Sequence, residues 1–142
     1  MTKVLAAIVL ILAAFWSGVL GFWASDRSPP VKVLSAEAIN SPVRAGQDLL
    51  VRWDIDRLES CHANVDRMIV DEQRVVYTLE DVDFKAGLGP TGHDYVLTAT
   101  TVPQQAGIGP AKYRVVVAYR CNPTHAIWPI VRGYDIPFMI RG

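Results

Sequence analysis

The sequence predicts an all-β fold, an antiparallel β-sandwich of about seven strands, preceded by one N-terminal transmembrane helix. Three observations carry this prediction. Residues 4–24 run without a single charge. Beyond residue 30 the apolar residues alternate with a period of two, the mark of strands with one face on a core. Breaks rich in Gly and Pro then punctuate that alternation at residues 41–46, 86–92 and 103–110.

The charge-free run, "VLAAIVLILAAFWSGVLGFWA", reaches roughly 31 Å as a helix at about 1.5 Å per residue, the thickness of a bilayer's hydrocarbon core. Phe22 and Trp23 fall at its exit, where aromatic rings favour the interface, and Asp26 and Arg27 follow at once. A cleaved signal peptide is the alternative, but its apolar region is normally shorter and ends in a small-x-small site. Residues 1–24 are therefore read as an anchor in the lipid bilayer, with residues 4–24 as the span. Residues 25–30, "SDRSPP", form a short stiff linker, because paired prolines favour an extended chain. Residues 31–142 form the β-domain.

Fourteen basic and fourteen acidic side chains cancel, so no global field favours nucleic acid. The flanking charges do not decide orientation, with Lys3 on one side and Arg27, Lys32 and Arg44 on the other. The cysteines do better. Cys61 and Cys121 both lie beyond the anchor and suit a disulfide in an oxidising compartment. The expected localisation is a single-pass membrane protein, its N-terminus cytoplasmic and its C-terminal domain periplasmic or extracellular. The sole Asn-x-Thr triplet, Asn122-Pro123-Thr124, is spoiled by its proline, which leans towards a bacterial or phage envelope.

Within the β-domain, Leu49, Val51, Trp53 and Ile55 share one strand face. Tyr113, Val115, Val117, Tyr119 and Cys121 share another, and Tyr134, Ile136, Phe138 and Ile140 a third. Weaker strands are expected at residues 31–39, 74–82 and 94–102. Residues 58–70 fit either a helical stripe (Leu58, Cys61, Val65, Met68, Ile69) or a strand.

Gly46-x6-Trp53, followed by Gly109-x3-Tyr113-x-Val115-x-Val117-x-Tyr119-x-Cys121, resembles immunoglobulin-like and fibronectin-III-like domains at the level of architecture. The Tyr119-x-Cys121 pair is similar to their tyrosine corner. The order of Trp and Cys departs from the family, since Trp53 precedes Cys61. A Cys61–Cys121 bridge is thus not the family's usual inter-sheet one.

"YRCNPTHAIWPI" offers a choice between a staple and a metal site. Cys121-Asn122-Pro123-Thr124-His125 resembles the ligand loop of cupredoxins, which implies a copper site of His62, Cys121 and His125. No Met follows His125 closely, and Cys61 stays unexplained by copper. A zinc set adding Cys61 lacks the usual ligand spacing. A Cys61–Cys121 disulfide uses both sulfurs and closes a loop of about sixty residues, contributing about 4 kcal/mol in the chain-entropy model. No metal or other cofactor is expected.

Catalytic signals are sparse. His93-Asp94 reads as a solvated strand end, as does Glu80 to Asp83. Ser60 lacks the context of an activated nucleophile, and the glycine-rich stretches lack the Lys-Ser/Thr of a phosphate cradle. A surface remains: His125, Trp128, Pro129, Ile130, Arg132 and Tyr134 make a candidate binding loop, aromatic and Arg residues being common anchors of protein contacts. The alternative is that Trp128 and Ile130 fold back over the core.

The expectation is a non-enzymatic, membrane-anchored binding or structural module of a cell or phage envelope, acting by contact with an envelope protein. A membrane-tethered cupredoxin-like electron carrier and a small phage or lysis-associated envelope protein are the rivals.

Overall fold

The computed structural model describes residues 2–85 and 87–142; Ala86, in one of the breaks, lies outside the described residues. One helix, α1 (Thr2–Ser25), precedes nine strands: β1 (Val31–Ala38), β2 (Val43–Arg44), β3 (Asp48–Arg57), β4 (His62–Val70), β5 (Val76–Thr78), β6 (Val82–Phe84), β7 (Gly92–Thr101), β8 (Gly109–Arg120) and β9 (Ile130–Arg141). A 3-10 turn, Pro123–Ala126, joins β8 to β9. From residue 3 to residue 25, α1 is long and apolar enough to cross a membrane. Its side chains stay exposed along nearly the whole helix, until Trp23.

The strands form two sheets. The smaller runs β1-β3-β7; the larger runs β2-β9-β8-β4-β5, with β6 also on β4. Both give side chains to one core: Val31, Leu49 and Val51 from the smaller, and Ala63, Ile69, Tyr113, Val115, Ile136, Phe138 and Ile140 from the larger. The period of two is the reason. Along β8, Ala111, Tyr113, Val115, Val117 and Tyr119 are buried while Lys112, Arg114 and Arg120 are exposed.

One open alternative is resolved, and three details differ from the sequence expectation. Residues 62–70 form a strand, because β4 is held by β8 along its length, from His62↔Arg120 to Val70↔Lys112; tertiary pairing overrides the helical stripe. The strand expected at residues 74–82 splits into β5 and β6, and Arg67 fills the gap by donating Nε and Nη2 to the Glu80 carbonyl at 3.0 and 2.6 Å. The short β2 pairs in parallel with β9, Val43 opposite Ile140, so the pairing is not wholly antiparallel. Finally, β9 begins at Ile130, so Ile130, Arg132 and Tyr134 are strand residues and not loop. Ile130 is 1% exposed, and burial of its side chain against the core starts the strand there.

Candidate functional site

The residues where β8 leaves its sheet are organised by Asn122. Its side-chain oxygen accepts from the backbone N–H groups of Thr124 and His125 at 3.1 and 3.2 Å and from the Thr124 hydroxyl at 2.6 Å. This is an N-cap, and Pro123 follows it where a missing N–H costs nothing. The cap turns His125 inward, to 1% exposure. Its Nδ1 accepts from the Cys121 N–H at 3.3 Å, and its Nε2 lies 2.9 Å from the Asp26 carbonyl. A neutral imidazole with the proton on Nε2 satisfies both, accepting from one backbone group and donating to the other.

Asp26 belongs to the linker, and more contacts of this kind follow. Asn122 Nδ2 donates to the Trp23 carbonyl at 3.2 Å, one of the last carbonyls of α1 and so without a helical partner. Arg27 donates to the carbonyls of Trp128 (2.7 Å) and Pro129 (3.0 Å), and its guanidinium lies 4.1 Å from the centre of the Trp128 ring. Pro30 accepts from Leu58 and Glu59 at 2.8 and 3.2 Å. The linker is therefore pinned at both ends, and the end of α1 is clasped by the loop after β8.

The Cys61–Cys121 disulfide is present, with Cα atoms 4.8 Å apart. It joins the chain just before β4 to the chain just after β8, two neighbouring strands, and so lies within one sheet. The same bond decides how the copper set stands. The Cys121 sulfur is bonded to Cys61, His125 spends both ring nitrogens on backbone groups, and His62 Nε2 meets Asp83 at 2.6 Å. His62, Cys121 and His125 are not brought together as ligands. Among the described residues, the one close group of metal-donor side chains is Glu59 with these two cysteines, both of them committed to the bridge.

The candidate binding loop divides. His125 and Ile130 are buried and Tyr134 is half-buried, its ring edge-on to Trp53 with centroids 6.0 Å apart. Burial raises the pKa of both Tyr134 and Tyr119. Trp128 and Arg132 are exposed. Of the sparse catalytic signals, His93 pairs with Asp54 at 2.6 Å rather than with Asp94, which instead pairs with Arg57 at 2.8 Å; that guanidinium holds the Asp94 carboxyl below its ordinary range. Neighbours in a strand face opposite ways, so His93 and Asp94 find different partners.

Two features escaped the sequence reading. A cavity of about 240 Å³ lies between the sheets, lined by Trp53, Ile55, Val65, Val96, Phe84 and Tyr134 among others. The contacts of Asp26, Arg27 and Asn122 span about a hundred residues of chain. Asn-Pro-Thr is legible as a local cap, but the carbonyl it reaches is set by the fold.

No known family pattern matches the chain, and no curated protein does. Solved structures that align with it include the Pseudomonas fluorescens alkylpurine DNA glycosylase AlkC bound to DNA containing an abasic-site analogue. The identity is 12% and the TM-score 0.47, over 87% of this chain and 33% of that one. The chain thus spans about a third of that protein's length, and a likeness of this size carries no statement about activity.

Proposed function

We propose that this chain is a membrane-anchored binding module, with α1 as a single span, its N-terminus cytoplasmic and the β-domain periplasmic or extracellular. The observation that carries the reading is the clasp. Four hydrogen bonds, from Asn122, His125 and Arg27, tie the end of α1 and its linker to one loop of the β-domain. A helix fixed in this way presents the domain in one pose over the bilayer instead of on a loose tether. The disulfide supports an oxidising compartment.

An immunoglobulin-like reading is supported by strand order. β1-β3-β7 corresponds to strands A, B and E of that fold, and β9-β8-β4-β5 to G, F, C and C′, with β2 as a short strand beside G. Such domains act by contact. Because the loop after β8 is turned towards α1, we assign the protein contact to β7, which among the described residues pairs with β3 alone. Tyr95 and Leu97 stand exposed there, and His93 packs edge-on to Tyr95 at 4.9 Å.

Site-specific photocrosslinking in native membranes tests this. A photoreactive residue at Tyr95 is expected to trap one envelope protein, while the same residue at Gln47 traps none. Equal yields at both positions, or a thiol label at residue 47 reached only from the cytoplasm, overturn the reading.

A further inference from the structure

We infer that Ile127 and Trp128 form a second membrane contact, seated in the headgroup region of the bilayer beside the exit of α1. The inference rests on the reading of α1 as a span. Ile127 is 92% exposed and Trp128 is 61% exposed. Leaving an Ile side chain in water forgoes the favourable free energy of its burial. Neither exposure arises from a loose chain. Ile127 and Trp128 both donate their N–H to the Thr124 carbonyl, at 3.2 and 3.0 Å, while the Asn122 cap, buried His125 and the disulfide hold the turn from below.

Position selects the occupant. Asn122 lies within hydrogen-bond reach of the Trp23 carbonyl, so the turn begins at the depth of the helix exit. The five steps from Asn122 to Ile127, through the Pro123–Ala126 turn, at about 2 Å each carry it no further than about 10 Å, the depth to which interfacial side chains bury. Ile127 supplies an apolar side chain for the acyl boundary. Trp128 supplies an amphipathic ring of the type enriched at that level, with the Arg27 guanidinium stacked on it where lipid phosphates lie. A protein partner on this turn would have to displace lipid around the helix; the bilayer is already there.

The test uses the full chain in phosphatidylcholine–phosphatidylglycerol vesicles. Since Cys61 and Cys121 are paired, Ile127→Cys provides one thiol for an environment-sensitive fluorophore, and Phe22→Cys and Gln47→Cys provide references. Quenchers attached to the lipid near the glycerol level are expected to dim labels at residues 22 and 127 severalfold more than at residue 47. A label at 127 that behaves like the one at 47, with 22 quenched, overturns the inference and leaves the span intact. Absence of quenching at both 22 and 127 overturns the span and the inference with it. An unchanged denaturation midpoint in the Ile127→Cys chain shows that the label reports on the folded protein.

Discussion

At the end of the β-domain far from α1, Leu49, Val51, Ile69 and Val102 are fully buried, and Phe138 and Ile140 close over them. At the end beside α1, Trp53, Ile55, Val65 and Tyr134 remain half-buried around a cavity. The far end also buries a carboxylate and satisfies it: Asp71 accepts from the N–H groups of Gly107 and Val75 and from the Tyr77 hydroxyl, at 3.0, 2.9 and 3.1 Å. The helix-proximal end instead holds itself with the disulfide and the clasp. Close packing is enough where two sheets meet along their full width. Where β7 and β6 leave the sheets unjoined, covalent and polar ties take over, and these ties also fix α1.

That contrast can be broken from either side. The largest effect expected is from Cys61→Ala with Cys121→Ala, a loss of about 4 kcal/mol. Urea unfolding of the full chain in detergent, followed by Trp fluorescence, reads it; a loss under half that size means packing already holds the helix-proximal end. His125→Ala comes next, at roughly 2–3 kcal/mol, because the Cys121 N–H and the Asp26 carbonyl lose their buried partner. The same variant is expected to speed proteolysis within residues 26–30, which a merely local defect leaves unchanged.

A pair of added methyl groups sharpens the comparison further. Val51→Ile at the dense end is expected to cost about 1–3 kcal/mol. Val65→Ile, facing the cavity, is expected to gain about 0.8 kcal/mol from the newly buried group. The same sign at both positions contradicts the packing difference. Arg27→Ala removes an exposed stack and two hydrogen bonds and is expected to cost about 0.5–1 kcal/mol.

The narrowest effect is confined to acid. Hydrogen-bond donors, that of Gly107 foremost, hold the Asp71 carboxyl below its ordinary 3.8. A group depressed in the folded state stabilises fully above its unfolded pKa and loses that contribution as pH falls through the lower folded value. Stability is thus expected to decline below pH 3.8, with a shallower decline in Asp71→Asn. Asp94 and Asp135, lowered by Arg57 and Arg114, keep the slope from vanishing. An unaltered slope in Asp71→Asn shows that the hydrogen bonds do not discriminate the charged form.

The strand faces were readable from the chain because burial on one side of a sheet writes a period of two. Leu49 and Val51, and Tyr113 through Tyr119, fall inside as their alternation indicates. Residues 58–70 were not, since a short apolar run fits both periods until β8 supplies the partner. The site shows the same division. Cys61 and Cys121 announced a bridge through their number and their place beyond the apolar run, whereas His125 resembled a ligand and is a buried strut between two backbone groups. Its role depends on a carbonyl 99 residues away.

By itself, then, the order of residues determined an apolar helix, a set of alternating strands and a crosslink, all of them consequences of local periodicity and composition. Which strands are neighbours, where the cavity lies and how Asn122, His125 and Arg27 grip the end of α1 were decided only in three dimensions. Hydrogen bonds to backbone carbonyls are blind to the side chain that follows, so no pattern of residue types marks them in advance.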